Sequence, residues 1–238
     1  MIPHRIKFYI SPYFIVKFYL KRDIIKANSL FKFNGKTIDI GCGEKPYLNI
    51  FKNCNYLGID FRNYSLNNDF PSSKPDFFFN DEYIKTLMLP FPSKTFDNVF
   101  CFQVVEHHKN PQKFMEEIHR ILKPGGKILF SCPFIEGIHE KPNDYQRYTE
   151  YGWREILIRN NFKLLHISRQ GSLISSCYLL LSEHLNFLAS GSKLKYFLSS
   201  IFYIFILLPF QYSCLLFDKF IKTEDIVMNY LIVAKKIK

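Results

Sequence analysis

From Lys36 onward, short apolar runs alternate with stretches whose apolar residues recur at helical spacing, the pattern of βα units laid into a parallel sheet. Strands are predicted at 37–40, 56–59, 98–102 and 127–131, with a shorter one at 77–79. Between the last two long ones, residues 110–122 carry Phe114, Ile118 and Ile121 or Leu122 on one helical face, and Lys123-Pro124-Gly125-Gly126 stops that helix and turns the chain. A helix at 151–160 and strands at 162–167 and 230–234 complete a seven-stranded pattern.

The last two strands are separated by an apolar insertion at about 171–226, far longer than an ordinary connection, so it is expected to have structure of its own. Its centre, 196–217, is uncharged and long enough to cross a bilayer. Pro209, Gln211 and several serines interrupt it, however, and the strand that follows must return to the same sheet. Helices lying in a membrane interface or capping the active site are therefore expected in preference to a span. The domain reading is a helical segment at 1–35 followed by one α/β domain at 36–238 that includes this insertion.

Charge adds to that picture. The net charge is +11, and Arg5, Lys7, Lys17, Lys21, Arg22, Lys26, Lys32 and Lys36 are opposed only by Asp23 before Asp39. Interleaved with Phe8, Tyr9, Tyr13, Phe14, Phe18 and Tyr19, they suit an anionic membrane surface, with a solvated amphipathic helix as the plain alternative. Nucleic acid ranks third. Six cysteines form no close pairs of the metal-knuckle or redox type and no cleavable signal peptide is expected, which favours free thiols and a cytoplasmic location, peripheral at the inner face of the membrane.

The chemistry lies where strand 37–40 runs into Gly41-Cys42-Gly43-Glu44. A sharp glycine turn beyond a strand's carboxyl end is where an open α/β sheet receives its ligand. The next strand ends in Gly58-Ile59-Asp60, and a carboxylate there can accept hydrogen bonds from both ribose hydroxyls. The G-x-G-x-x-G spacing that sets a pyrophosphate on a helix amino end is absent. A sulfonium cofactor without phosphate needs no such site.

Asp39 to Gly43, Asp60, Leu89-Pro90-Phe91-Pro92 with Phe96-Asp97, Val105-Glu106-His107 and Leu122-Lys123-Pro124-Gly125-Gly126 together resemble the class I methyltransferases of the type 11 group, over about residues 36–170. The resemblance implies a Rossmann-like α/β fold, a mostly parallel seven-stranded sheet flanked by helices, and S-adenosyl-L-methionine as cofactor. It implies that Gly41 and Gly43 pass beneath the methionine part, that Asp39 orients the turn, that Asp60 holds the ribose, that Asp81 or its neighbour Glu82 reads the adenine amine, and that Glu106 adjoins the cofactor. Glu44-Lys45-Pro46-Tyr47 replaces the family's usual third glycine and alters the turn.

On the acceptor side, methyl transfer from a sulfonium is an in-line displacement that mainly requires placement and exclusion of water, with a base for amine or hydroxyl acceptors. His107 and His139 are the candidate bases. The run from His139 to Thr149 resembles the H-E-x-P-x-D-[FY]-x-R-[FY]-T segment of many bacterial relatives, making Asp144, Tyr145, Arg147 and Tyr148 candidates for a hydroxylated substrate. The plain alternative is an Asp144–Arg147 ion pair with Thr149 capping the next helix. No metal is expected, because His107 and His108 are adjacent and point different ways. The expected activity is methyl transfer to a small or glycan-type acceptor, lipid-linked or in surface polysaccharide synthesis. A lipid or quinone methyltransferase and a non-catalytic binding module of the same fold are the alternatives. A nucleic acid acceptor is disfavoured because strand 98–102 leads into Gln103-Val104-Val105-Glu106 instead of a base-flipping Asn-Pro-Pro-Tyr motif.

Overall fold

In the computed structural model, which describes residues 9–61, 74–79, 88–189, 192–220 and 225–237, the seven expected strands all form. They are Gly35–Ile40 (β1), Cys54–Phe61 (β2), Phe77–Phe79 (β3), Phe96–Phe102 (β4), Leu122–Pro133 (β5), Phe162–Gln170 (β6) and Asn229–Lys236 (β7). One sheet holds them in the order β3-β2-β1-β4-β5-β7-β6. The pairs β1·β2, β1·β4, β2·β3 and β4·β5 are parallel. The chain thus starts in the middle, runs outward to β3 and returns across β1 to β4, which puts the switch point of the topology between β1 and β4.

The central strands are apolar on both faces because helices cover both, as a parallel sheet requires. Val99, Phe100 and Cys101 of β4 are all fully buried in succession. Phe100 lies 4.1 Å from Phe51 and 5.3 Å from Phe33, ring centroid to ring centroid, so three aromatic rings fill one side of the sheet.

Helix α1 (Phe14–Phe31) precedes the sheet, and helix α2 (Pro111–Ile121) joins β4 to β5. The start of α2 follows from its chemistry: Asn110 Oδ1 accepts from Lys113 N at 3.0 Å, and Pro111 occupies the first turn, where a missing N–H costs nothing. Phe114, Met115, Ile118 and Ile121 form its buried face. The Lys123-Pro124-Gly125-Gly126 stretch is not a free turn. Leu122 already pairs with Phe96, the register shifts, and pairing resumes at Asn98 with Lys127. The intervening glycines let the strand bulge, with Gly125 at φ +77°. Arg120 fastens the segment before β4, donating to the Leu89 and Phe91 carbonyls at 3.0 and 2.8 Å, while Glu117 accepts the Leu89 N–H at 2.6 Å.

Helix α3 is Glu150–Arg159, capped by Thr149, whose hydroxyl accepts from Gly152 N at 3.2 Å. The insertion is mostly helical: α4 (Leu173–Ala189), α5 (Lys193–Phe202), a wide turn at Tyr203–Leu207 and α6 (Leu208–Phe217). The chain divides into two compact units. One comprises 1–22, 133–139 and 169–230; the other, 23–132, 140–168 and 231–238, carries the glycine turn. The first has its own core of Ile15, Tyr19, Tyr178, Leu179, Leu207, Cys214 and Met228. All six cysteines are free thiols.

Candidate cofactor and acceptor site

The glycine turn is built from the ends of β1 and β2. Gly41 N and Cys42 N both donate to the Ile59 carbonyl, at 2.9 and 3.0 Å, which extends the β1·β2 pairing into the turn. Gly41 sits at φ +71°, and a Cβ there would lie 2.3 Å from Val104 Cγ2, so neither backbone nor space admits a side chain. Gly43, at φ +50°, has open space where its Cβ would point. Its N–H donates to Asp60 Oδ2 at 2.7 Å, so Asp60 closes the turn as well as facing it.

Asp39 is buried and accepts a short hydrogen bond from the Tyr56 hydroxyl through Oδ2, while Oδ1 has no partner among the described residues. Burial, opposed by the Tyr56 hydrogen bond and reinforced by the nearby Asp60 charge, pushes its pKa up to about 7. Lys45 takes the left-handed conformation at φ +53° where a glycine is usual. Its ammonium pairs with Asp76 Oδ1 at 2.7 Å, and Asp76 Oδ2 accepts the Gly58 N–H at 2.7 Å. A Cβ on Gly58 would meet Lys45 Cε at 2.6 Å, so the lysine stem crosses β2 where the strand has no side chain. Asp81 and its rival Glu82 lie outside the described residues.

An orphaned buried carboxylate oxygen on Asp39, a second carboxylate at Asp60 and an open cradle at Gly43 suit a cation with ribose hydroxyls and repel a pyrophosphate. The residues fit S-adenosylmethionine.

Glu106 and His107 belong to a single helical turn, Val105–His107, directly after β4. Glu106 is 1% exposed and its carbonyl accepts from Tyr145 N at 3.0 Å. His107 Nδ1 lies 2.8 Å from the Asn143 carbonyl, which requires the proton on Nδ1. Its Nε2 faces Glu140 Oε2 at 3.4 Å and Glu106 Oε1 at 3.9 Å. His108 turns away, buried and stacked on Phe114 at 4.1 Å, and burial lowers its pKa to about 4. His139, in the other unit, is half-buried with Nδ1 3.2 Å from the Gly137 carbonyl.

In the segment that follows, Asp144 and Arg147 pair bidentately, with Nη2 to Oδ2 at 2.8 Å, and Asp144 is 3% exposed on its side chain. Gln146 donates to the His108 carbonyl at 2.7 Å and accepts from the Tyr148 hydroxyl at 3.1 Å. Tyr148 packs on Trp153, which packs on Phe130, both at 5.1 Å. Tyr145 is exposed, its hydroxyl 3.0 Å from Asn143 Oδ1. Thus Asp144, Arg147 and Tyr148 hold the loop together, and Tyr145 is its outward group. Tyr56, Val104 and Asp76 shape the turn without having been singled out from sequence. Only Gly58, a glycine inside a strand pattern, carried a readable signal of close approach.

Residues 38–130 match the family described as a methyltransferase domain. Over 133 residues the chain is 26% identical to a tRNA U34 carboxymethyltransferase of Nautilia profundicola, covering 51% of this chain and 42% of that protein. It is 28% identical over 102 residues to a ubiquinone biosynthesis O-methyltransferase of Paracidovorax citrulli, covering 40% and 42%. The chain therefore spans under half the length of these relatives. The crystal structure of a SAM-dependent methyltransferase from Archaeoglobus fulgidus shares the fold with a TM-score of 0.55 at 18% identity, over 91% of this chain and 93% of that one. Residues 38–130 are thus similar to a methyltransferase domain, on a fold shared with a SAM-dependent methyltransferase.

Proposed function

We propose that this protein transfers the methyl group of S-adenosylmethionine to a small or glycan-type acceptor carried on a lipid, working in the cytoplasm in peripheral contact with an anionic membrane. The observation that carries the methyl-transfer reading is the pair of buried carboxylates, Asp39 and Asp60, around the Gly41–Gly43 turn at the β1/β4 switch point. When bound there, the cofactor supplies an electrophilic methyl group on a positively charged sulfur.

This chain's residues do the rest. Asp60 orders the turn through Gly43 N and receives ribose hydroxyls, and the Asp39 carboxylate balances positive charge. Glu106, buried at the end of β4, walls the site. His107, with its proton fixed on Nδ1 by the Asn143 carbonyl, presents Nε2 as the base for an acceptor hydroxyl, and Glu140 and Glu106 stabilise the imidazolium formed. Tyr145 offers an exposed ring and hydroxyl for a sugar, on a loop that the Asp144–Arg147 pair and Tyr148 keep rigid. His139 is the second candidate base. Calorimetry with S-adenosylmethionine tests the cofactor half: Asp60→Ala should lose most of the affinity, and no heat with the parent chain would end the enzyme reading.

A second reading, a lipid or quinone acceptor, is favoured by the exposed apolar helices of the insertion and by the likeness to a ubiquinone biosynthesis enzyme. Methyl-labelled cofactor with a membrane extract separates the two. Label that mild acid moves from the organic to the aqueous phase is on a lipid-linked glycan, and label that stays organic is on the lipid. In the same assay, His107→Ala abolishing turnover while His139→Ala retains it assigns the base.

A further inference from the structure

The insertion presents an apolar face that its own unit leaves uncovered. Helices α5 and α6 with the turn between them run as one continuous helix, Lys193–Phe217. A single stripe faces inward: Leu207, Gln211 and Cys214 are buried, and Tyr203 and Asp218 extend the row. The other side is apolar and exposed. Leu194, Phe197, Ile201, Phe205, Tyr212 and Leu216 follow one another at spacings of three to seven residues, with exposures from 40% at Ile201 to 71% at Phe205. No residue of α5 is buried. Exposed Phe18 lies 5.9 Å from the buried Phe14, whose ring is 5.5 Å from Tyr212. So much contiguous apolar surface marks an interaction site.

Two features name the occupant. Exposed lysines stand at both ends of the stripe, Lys193 and Lys195 on either side of Leu194 and Lys219 after Leu216, and Lys17 and Lys21 are exposed beside Phe18. A second copy laid against the stripe would bring lysines against lysines, whereas anionic headgroups neutralise both ends. The inner stripe also fixes the helix's attitude. Gln211 accepts from the Tyr178 hydroxyl at 2.5 Å and donates to the Tyr9 carbonyl at 3.2 Å. The Tyr203 hydroxyl donates to the Ile10 carbonyl at 2.8 Å, and Asp218 accepts from Tyr19 and Ser172. A membrane-spanning helix would have to break these bonds and take Gln211 into hydrocarbon unsatisfied.

We infer that the Lys193–Phe217 helix lies in the plane of an anionic bilayer, with Phe197, Ile201 and Phe205 seated at the headgroup–acyl boundary and its inner stripe still bonded to the protein. This deepens the membrane contact proposed above and rests on it, but not on the methyl-transfer chemistry.

The test uses the full chain and vesicles of three parts phosphatidylcholine to one part phosphatidylglycerol, with pure phosphatidylcholine as control. The protein should float with the anionic vesicles, and a Phe197→Ser, Ile201→Ser, Phe205→Ser variant should partition about tenfold less or worse, while both give the same calorimetric response to S-adenosylmethionine. Depth comes from single tryptophans placed at Phe197 or Phe205 in a Trp153→Phe background and quenched by lipids brominated at two depths. Eight residues of helix rise about 12 Å, so a span puts the two probes at clearly different depths and an in-plane helix puts them at one. Unequal depths overturn the inference, as does failure to float, or self-association that the triple variant abolishes in the absence of vesicles. Flotation with no cofactor heat would instead refute only the methyl-transfer reading.

Discussion

Cofactor affinity should depend steeply on pH through Asp39. In the free protein this carboxyl is held near pKa 7, against an ordinary 3.8, chiefly by burial. Tyr56 donates to it, Asp60 repels its charge and Lys45 attracts it, and these act together with burial in setting that value. A cation bound against the floor favours the carboxylate and returns its pKa toward the ordinary range, so below pH 7 binding must expel a proton. Affinity should then fall about tenfold per pH unit below 7, or about a hundredfold between pH 8 and pH 5. At pH 6 about 0.9 proton is released per cofactor bound. Titration calorimetry in two buffers of different ionisation enthalpy measures that number directly.

Asp39→Asn keeps an acceptor for the Tyr56 hydroxyl and removes the charge, so it should bind weakly at pH 8 with an almost flat pH profile. Stability should move the other way. A carboxyl whose folded pKa is raised contributes stability that is full below its unfolded pKa, 3.8, and lost as pH rises through about 7. The cofactor-free parent therefore bears a cost of order 4 kcal/mol at pH 8, and Asp39→Asn should be more stable there by a few kcal/mol. A parent protein whose affinity is flat from pH 5 to 8, with no buffer-dependent heat, would refute the reasoning.

Other outcomes follow from the packing. Gly41→Ala should lose cofactor binding and lower Tm, because its Cβ meets Val104 at 2.3 Å, and Val104→Ala in the same chain should recover part of the Tm. Phe100→Ala, at a fully buried position among Phe33 and Phe51, should cost about 3–5 kcal/mol in urea unfolding. Arg147→Ala removes the bidentate partner of the Asp144 carboxylate and should cost about 1–3 kcal/mol; unchanged stability with a raised KM would instead place Arg147 on the substrate. Asn110→Ala should cost about 1 kcal/mol through the lost cap, with the urea m-value unchanged.

The strands were legible because each is a short apolar run bounded by glycine, proline or polar residues. β3 keeps its expected bounds, while β2 and β7 run one or two residues further at each end. The Lys123–Gly126 stretch was misread as a simple turn because a glycine pair signals a turn and a strand bulge alike, and only the pairing of Leu122 with Phe96 decides between them. In the site, the turn glycines and Asp60 could be read from order and spacing. What Lys45 does could not, since its partner Asp76 is 31 residues away and the contact exists only once β3 lies beside β2. Asp39 could be placed at a strand end, but its raised pKa comes from burial and from Tyr56, which a linear pattern does not weigh.

The clamp that Arg120 and Glu117 place on the chain ahead of β4 gives an irregular segment a rigid amide. Leu89 belongs to no helix or strand, yet its N–H is held at 2.6 Å by a buried carboxylate on α2. In hydrogen–deuterium exchange it should behave as a core amide, exchanging only when the last turn of α2 opens. Truncating Glu117 to alanine should release it to the rate of a free loop while the amides of β4 remain protected.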